Sequence, residues 1–305
     1  MLSFAKRVVL FLAVNILVVV AISFLMNMLG VKPYLRANGI DYGSLLVFCA
    51  LFGFAGSFIS LQMSRFMAKF AMGVQLIDPD NPPGPGESAL VETVRSLCSR
   101  AGLSTLPEIG IYPSPEVNAF ATGPSKDRAL LAVSAGLLER LDGEAVSGVL
   151  GHEIAHIVNG DMVTMSLLQG VANTFVMFFA RILAFMIDNF LRSRSDDDRG
   201  GGLGYFGYAI VVFLLETVLM LLAMPVVYWF SRRREYRADA GSAEIAGRGA
   251  MIHALESLKD HSRNAGSRRG SLATLKIHGG AKGLIGMLYS SHPPLESRIR
   301  ALQRS

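Results

Sequence analysis

Val149-Leu150-Gly151-His152-Glu153-Ile154-Ala155-His156-Ile157 contains the pattern H-E-x-x-H within a predicted helix. An α-helix turns by about 100° per residue, so histidines four positions apart lie about 40° apart around the axis and can bind one metal ion. Glu153 lies beside the same face, where its carboxylate can take a proton from water at the metal. The alternative is that these are surface or core histidines without a metal.

A third metal ligand must come from elsewhere, because catalytic zinc sites generally use three protein ligands and leave one position for water. Position 162 is Met162, so no third histidine follows at the metzincin spacing, and a distant carboxylate is the remaining simple choice. Glu235 and Asp239 lie four apart on another predicted helix. Glu235 would complete the site, and Asp239 could accept the second N–H of a ligand histidine. Alternatively, both are solvated partners of the neighbouring arginines.

The segments around the motif predict a small α+β unit. Asp142 is a plausible N-cap and Asn159-Gly160 a plausible end of the motif helix. An apolar pattern predicts a helix over 87–102, and the proline-rich segment 78–87 predicts a linker before it. Short runs at 108–112, 119–122 and 129–133 predict strands, two or three of which could form a sheet. Residues 261–270 are polar and basic, which predicts a mobile loop.

The composition predicts a membrane protein. Hydrophobic residues make up 51% of the 305 residues, charged residues make up 17%, and the mean hydropathy is +0.41, which excludes a disordered or collagen-like chain. The two cysteines cannot form a four-thiolate metal site. The net charge of +5 comes largely from residues beside apolar segments, so membrane anchoring explains it better than nucleic-acid binding.

Four apolar runs, at 8–29, 44–63, 162–191 and 203–230, are long enough to cross a bilayer. The last two contain charged residues, and Arg181 is expected to pair with Glu216 or Asp188, or else to snorkel or line the protein interior. With a cytoplasmic N-terminus, the inside flanks carry more basic residues than the outside flanks. His156 precedes the third run and Glu235 follows the fourth. If those two runs form a transmembrane hairpin, both residues lie on the same side of the membrane and can reach one site.

The predicted domains follow from these runs. Residues 1–70 form an N-terminal transmembrane hairpin and residues 162–230 form a second one. Residues 71–161 and 231–305 together form a cytoplasmic domain, which is large enough for one core.

Several motifs together resemble the HtpX family of membrane-bound zinc metalloproteases, which is related to the CAAX-prenyl endopeptidases. They are the paired N-terminal spans, Pro115-Glu-Val-Asn118-Ala-Phe120-Ala-Thr-Gly123, Gly151-His-Glu-Ile-Ala-His156, Ser231-Arg-Arg-Arg-Glu-Tyr-Arg-Ala-Asp-Ala-Gly241 and Ser291-His-Pro-Pro-Leu-Glu-Ser-Arg-Ile299. The resemblance covers nearly the whole chain. It implies one Zn²⁺ per chain held by His152, His156 and Glu235, with Glu153 as catalytic acid/base.

The resemblance also implies a fold and a cellular role. The fold is a mainly α membrane protein with about four transmembrane helices and a cytoplasmic α+β zincin-type metalloprotease domain that contains a small sheet. The role is proteolytic quality control of damaged or misfolded membrane proteins in the bacterial inner membrane, with the active site facing the cytoplasm. The expected partners are polypeptide substrates and the lipid bilayer, and the oligomeric state stays open.

Further candidates flank this site. Asn118, Ala119 and Phe120 resemble the family's strand beside the cleft and could hold an extended substrate, or form an ordinary buried strand with Phe120 in the core. His292 could stabilise the oxyanion, with Arg298 nearby in sequence, although a proline-led helix start also explains this segment. Two other functions stay open: a processing protease for a defined membrane or lipidated substrate, and a metal-binding membrane scaffold or transporter without catalysis.

Overall fold

The computed structural model describes residues 41–194, 202–268 and 292–304. The predicted span at 8–29 and much of the predicted loop at 192–202 lie outside these residues. The chain is mainly helical. We number the helices α1 Tyr42–Met72, α2 Pro85–Arg100, α3 Ala135–Arg140, α4 Gly143–Asn159, α5 Asp161–Arg192, α6 Gly204–Ser242, α7 Arg248–Arg268 and α8 Leu295–Arg304, and a π-helical turn, Ala243–Gly247, joins α6 to α7.

Within the described residues, three helices are long and apolar enough to cross a membrane. They are α1, α5 and the helix that begins at Gly204, with mean hydropathies of 2.1, 1.8 and 2.6 over their most apolar stretches. They contain the predicted runs at 44–63 and 162–191, and residues 204–230 of the predicted run at 203–230. The number of crossings stays a prediction.

Helices α5 and α6 run antiparallel. The Gln169 side chain contacts Met220, whereas Arg181, further along α5, contacts Tyr208, which lies earlier on α6. Arg181 Nη1 also lies 2.6 Å from Glu216 Oε1, so the expected ion pair is confirmed for the first of its two possible partners. Asp188 pairs instead with Arg192, at 2.8 Å. The two charges of the Arg181–Glu216 pair thereby satisfy each other in a segment where isolated charges are costly.

Four strands form one mixed sheet in the order β1-β2-β4-β3, with bounds β1 Gln75–Ile77, β2 Glu108–Tyr112, β3 Ala119–Ser125 and β4 Arg128–Ser134. β2 and β4 are parallel, and the two outer pairs are antiparallel. The predicted strands at 108–112, 119–122 and 129–133 are confirmed. β1 was not predicted, because three residues are too few for an alternating pattern to be recognised.

A core between α2, the sheet and α4 fixes the position of the H-E-x-x-H helix. Val94 of α2, Leu131 of β4, and Leu150 and Ile154 of α4 are all buried in it. Helix α4 begins and ends as predicted. The Asp142 side chain accepts a hydrogen bond from the Ala145 N–H at 2.9 Å, and Gly160 ends the helix in the left-handed region, with φ of 69°.

Two sequence predictions need correction. Helix α2 begins at Pro85, inside the predicted linker, because proline is tolerated in the first turn of a helix, where its missing N–H is not needed. The predicted loop at 261–270 is wrong for residues 261–268, which continue α7, and residues 269–270 lie outside the described residues. Once the buried residues Met251 and Leu255 have nucleated this helix, polar residues extend it at little cost.

The contacts divide the chain into two compact units. Among the described residues, one unit comprises residues 41–59, 166–194 and 202–227, and the other comprises residues 60–165, 228–268 and 292–304. The limits between them fall within α1, α5 and α6. The predicted domain limits therefore stay a prediction.

Close packing of α4 against α7 predicts an effect of substituting Gly148. A Cβ atom at this position would lie 2.8 Å from the Ala254 Cβ and closer still to the Ala250 carbonyl. We expect Gly148→Ala to lower the free energy of unfolding by about 1–3 kcal/mol, because the two backbones must separate. Thermal unfolding of the purified chain measures the change.

Gly143→Ala is the matched control. It lies on the same helix, and its Cβ would have no atom within 4 Å. We expect its melting temperature to equal or exceed that of the wild type. Equal stability of Gly148→Ala and Gly143→Ala would contradict the packing argument.

Candidate metal centre and active site

The two motif histidines lie on one face of α4, as their spacing predicts. Their Nε2 atoms are 3.1 Å apart, and the rings meet edge to face. His152 is buried and His156 is nearly so. Both side chains therefore direct a nitrogen at one point.

Glu235 of α6 reaches the same point. Its Oε2 lies 3.6 Å from His152 Nε2 and its Oε1 lies 3.5 Å from His156 Nε2. The three candidate ligand atoms lie within 4.8 Å of one another. The structure thus brings together the three residues that the sequence singles out as ligands.

A carboxylate orients each histidine through its other nitrogen. Asp239 Oδ1 lies 2.9 Å from His152 Nδ1, and Asp161 Oδ2 lies 2.6 Å from His156 Nδ1. Such contacts hold the tautomer in which Nε2 presents its lone pair, and they raise the basicity of a metal ligand. The sequence predicts Asp239 in this role.

Sequence analysis missed Asp161. The signal for it is its position directly after the helix end at Asn159-Gly160, five residues beyond His156. The left-handed Gly160 turns the chain there, so that Asp161 begins α5 and its side chain faces back to His156. Arg234 of α6 donates a hydrogen bond to the Asp161 carbonyl at 2.7 Å. This bond links the start of α5 to the last turns of α6.

The segment after residue 291 supplies the remaining candidates. Arg298 of α8 is buried and binds Asp239 through two nitrogens, at 2.8 and 2.5 Å, and its Nη1 lies 3.2 Å from Glu235 Oε2. His292 Nδ1 lies 2.9 Å from the same oxygen, although its side chain is 64% exposed. Both residues therefore lie at the cluster, one enclosed and one at its open side.

Comparison with known proteins places this cluster in a family. Residues 87–305, which contain every candidate residue named above, match Peptidase family M48. The chain belongs to this family.

Relatives that match this M48 chain over nearly its whole length are named as proteases. Protease HtpX of Chromohalobacter salexigens is 51% identical over 300 residues, 98% of each chain. A Protease HtpX homolog of Thiobacillus denitrificans is 49% identical over 298 residues, 98% of this chain and 99% of that one. Ste24p of S. mikatae shares the fold, with a TM-score of 0.60 at 18% identity over 98% of this chain and 67% of that one.

These findings confirm the resemblance to the HtpX family and the predicted mainly α metalloprotease fold with a small sheet, whereas the number of spans and the cytoplasmic orientation stay predictions. The M48 chain is a multi-pass membrane metalloendopeptidase with a mainly α fold and a small mixed sheet. Its substrates are therefore polypeptides. The identity of its metal and its cellular role belong to the proposals below.

The electrostatics of the M48 site favour a cation at the ligand cluster. Burial alone would raise the pKa of Glu235, but contacts with the two histidines hold it far below its ordinary value. Burial would likewise lower the pKa of both histidines. Their carboxylate partners outweigh it, raising the pKa of His152 and bringing that of His156 to about 9. The cluster therefore stabilises positive charge between two nitrogens and an ionised carboxylate.

The residues present fit a zinc ion. Two imidazole nitrogens and one carboxylate oxygen form a donor set typical of catalytic zinc sites. Glu235 Oε2 is buried and lies 2.9 Å from His292 Nδ1 and 3.2 Å from Arg298 Nη1. These neighbours favour the ionised carboxylate that a metal ligand requires.

Glu153 lies between the metal face of α4 and the sheet. Burial raises the pKa of its carboxyl, whereas the neighbouring His152, His156 and the backbone amide of Ala121 oppose the shift. Ala121 belongs to β3, which lies at one edge of the sheet and contacts α4. Glu153 thus faces both the ligands and an edge strand.

Of the three candidate residues for binding an extended substrate, Ala119 and Phe120 belong to β3 and Asn118 directly precedes it. Ala119 pairs with Val133 and Phe120 with Ala132 in the β3–β4 ladder. Asn118 precedes the strand, and its N–H donates to Ser134 Oγ at 3.1 Å. Phe120 is half-buried with its ring 5.6 Å from that of Tyr112, so its side chain packs against the sheet. The substrate-binding role of this strand stays a prediction.

The Asp161–His156 contact predicts the effect of Asp161→Asn on metal affinity. The substitution keeps the backbone carbonyl that Arg234 binds but removes the charge that supports His156. We expect zinc to bind about 10–100-fold more weakly, as for other outer residues that orient a metal ligand. Competition with a fluorescent chelator measures the affinity.

Asp127→Asn serves as the charge-matched control, because Asp127 is exposed in the turn between β3 and β4. Its zinc affinity should equal that of the wild type. A wild-type affinity in Asp161→Asn would show that this carboxylate does not support the ligand.

Proposed function

We propose that this chain is a zinc-dependent endopeptidase in which His152, His156 and Glu235 hold one Zn²⁺ and Glu153 is the catalytic acid/base. The observation that carries the proposal is the convergence of the three ligand atoms within 4.8 Å, with Glu153 on the same helix as the two histidines. Bound zinc would polarise the scissile carbonyl and lower the pKa of the attacking water.

The protein's own residues supply the proton transfers. Burial raises the pKa of Glu153, which moves it towards the pH range in which a carboxylate can take a proton and return it. Glu153 would first accept a proton from the attacking water and then deliver it to the leaving amine. Asp239 and Asp161 keep the histidines oriented throughout, because each holds the ring nitrogen that faces away from the cluster.

Arg298 and His292 have different proposed roles. Arg298 is enclosed between Asp239 and Glu235, which supports a positioning role. His292 is exposed at the edge of the cluster, which supports contact with the substrate and stabilisation of its oxyanion.

The substrate is proposed to bind as an extended segment beside β3. This strand pairs with β4 on one side and forms an edge of the sheet on the other. Backbone hydrogen bonds to such an edge recognise extended chains with little regard to sequence. That mode suits an enzyme that acts on unfolded polypeptides.

The HtpX resemblance and the high identity to proteins of that name support a proposal for the cellular role. We propose quality control of damaged or misfolded membrane proteins in the bacterial inner membrane. Residues 71–161 and 231–305 form the protease domain on the cytoplasmic side, and hairpins at 1–70 and 162–230 hold it to the membrane. The excess of basic residues at the inside flanks supports this orientation.

The test combines zinc analysis with cleavage of an unfolded membrane protein by the purified full chain. We expect the wild type to carry one zinc and to cut. Glu153→Gln should keep the zinc and lose about 10²–10⁴-fold in rate, because it removes the proton acceptor and leaves the ligands. Glu235→Ala should lose both zinc and activity, because it removes a ligand.

Each variant addresses a separate part of the proposal. Wild-type cleavage by Glu153→Gln would contradict the mechanism and favour a metal-binding scaffold. Normal zinc content and activity in Glu235→Ala would show that the third ligand is another residue. Glu244→Ala, which removes an exposed acid beyond the end of α6, is the control and should behave as the wild type.

A further inference from the structure

The last turns of α6 have two chemically different faces. Val227, Ser231, Glu235 and Asp239 recur every four residues on one face, and all four are buried. This face carries one proposed zinc ligand and the carboxylate that orients His152. The opposite face contributes nothing to that cluster.

The opposite face carries what we call the aromatic–basic stripe: Trp229, Phe230, Arg233 and Arg237. All four side chains are exposed, and 43% of the surface of each aromatic residue is accessible. At about 100° per residue the four positions fall within about 100° around the helix. They form one continuous surface along about 12 Å of helix, at a rise of 1.5 Å per residue.

The side chains of the stripe are arranged around Trp229. The Arg233 guanidinium carbon lies 4.3 Å from the centre of the Trp229 ring, and the Phe230 ring meets the same indole edge to face at 4.8 Å. Stacking on the indole face leaves the guanidinium N–H groups directed outwards to bind an anion.

The stripe continues an apolar surface. Earlier on α6, the exposed residues include Leu214, Val218, Leu221, Leu222 and Val226. Only 6% of the most apolar window of this helix is buried within the protein. Along one helix the exposed side chains thus change from aliphatic to aromatic to basic, which is the order found where a spanning helix leaves the bilayer.

We propose that the aromatic–basic stripe binds the headgroups of anionic phospholipids. Arg233 lies one helical turn, about 6 Å, beyond Trp229, and Arg237 lies another turn further. The headgroup layer of one leaflet is about 5–7 Å thick. With Trp229 and Phe230 at the base of that layer, Arg233 reaches the phosphates, which guanidinium groups bind through paired hydrogen bonds.

This surface is independent of the proposed catalysis, since none of its residues contacts the substrate or the zinc ligands in the scheme above. It fixes the depth of α6 in the membrane. Glu235 lies on the same turns of the helix, so the lipid contact also fixes how far the third ligand stands from the bilayer.

The single tryptophan of the chain makes the proposal directly measurable, because all tryptophan fluorescence comes from Trp229. The full chain is reconstituted in phosphatidylcholine vesicles of two kinds. One contains roughly 20% brominated phosphatidylglycerol, as in a moderately anionic leaflet, and the other contains roughly 20% brominated phosphatidylcholine. Bromine quenches only a nearby indole. We expect stronger quenching by the anionic lipid, with a preference that weakens as the salt concentration rises.

The Arg233→Gln, Arg237→Gln variant keeps the indole and removes both charges. We expect its preference for the anionic lipid to fall by about fivefold for each arginine, the equivalent of about 1 kcal/mol per basic residue near a membrane surface. The matched control is Arg128→Gln, Arg140→Gln, which removes two exposed arginines elsewhere and should keep the preference. Unchanged zinc content in all three proteins would show that the fold is intact.

Three outcomes would overturn the proposal. Equal quenching of the wild type by the two brominated lipids would remove the selectivity for anionic headgroups. An undiminished preference in the Arg233→Gln, Arg237→Gln variant would assign it to other residues. Weak quenching that varies with the protein-to-lipid ratio would show that a second copy of the chain covers Trp229.

Discussion

The approach of α4 to α6 is the constraint on which the rest of the site depends. His152 and His156 can share a metal by their spacing alone, but a third ligand must cross from a helix that is distant in sequence. Small residues make this approach possible. A Cβ at Gly151 would lie 2.7 Å from Ser242 Oγ, and one at Gly241 would lie 2.9 Å from the Ala155 Cβ. Larger side chains at these positions would hold the helices apart and leave Glu235 out of reach.

Charge balance explains why so many ionisable groups can be buried together. Asp161, Glu235 and Asp239 are all nearly inaccessible to solvent, and an isolated carboxylate in such a place is strongly unfavourable. Each has a cationic or potentially cationic neighbour: His156 and Arg234 for Asp161, His152 and Arg298 for Asp239, and both histidines for Glu235. The same contacts hold the imidazoles in position. Electrostatic stability and ligand geometry are therefore consequences of one network.

Helix α6 combines three environments along a single element. Its first part is apolar and exposed, its last turns carry Glu235 and Asp239 on a buried face, and the opposite face of those turns is aromatic and basic. In these last turns the helical period places the buried face and the aromatic–basic face at different angles around the axis. A membrane contact and a metal ligand can thus occupy neighbouring positions in sequence without competing for the same surface.

The sequence by itself determined the elements that depend on local patterns. The limits of α4 follow from the Asp142 cap and Gly160, the strands at 108–112, 119–122 and 129–133 follow from short apolar runs between turn residues, and the shared face of His152 and His156 follows from the helical period. The roles of Glu235 and Asp239 could also be predicted from the sequence. The histidine pair alone is an incomplete metal site that requires a further ligand, and the spacing of the two carboxylates repeats that of the histidines.

Only the tertiary structure decided which distant groups meet. The sequence analysis assigned no role to Asp161, whose carboxylate contacts His156 because of the turn at Gly160. It placed Arg298 near His292 in sequence only, whereas the packing of α8 brings the Arg298 guanidinium onto Asp239. The sequence also did not predict strand β1 or the extension of α7 past residue 260. Strand β1 is stabilised by pairing with β2, and the end of α7 is stabilised by the packed part of the helix that precedes it. Local propensity acts over a few residues, whereas these contacts join side chains that only the packing of helices and strands brings together.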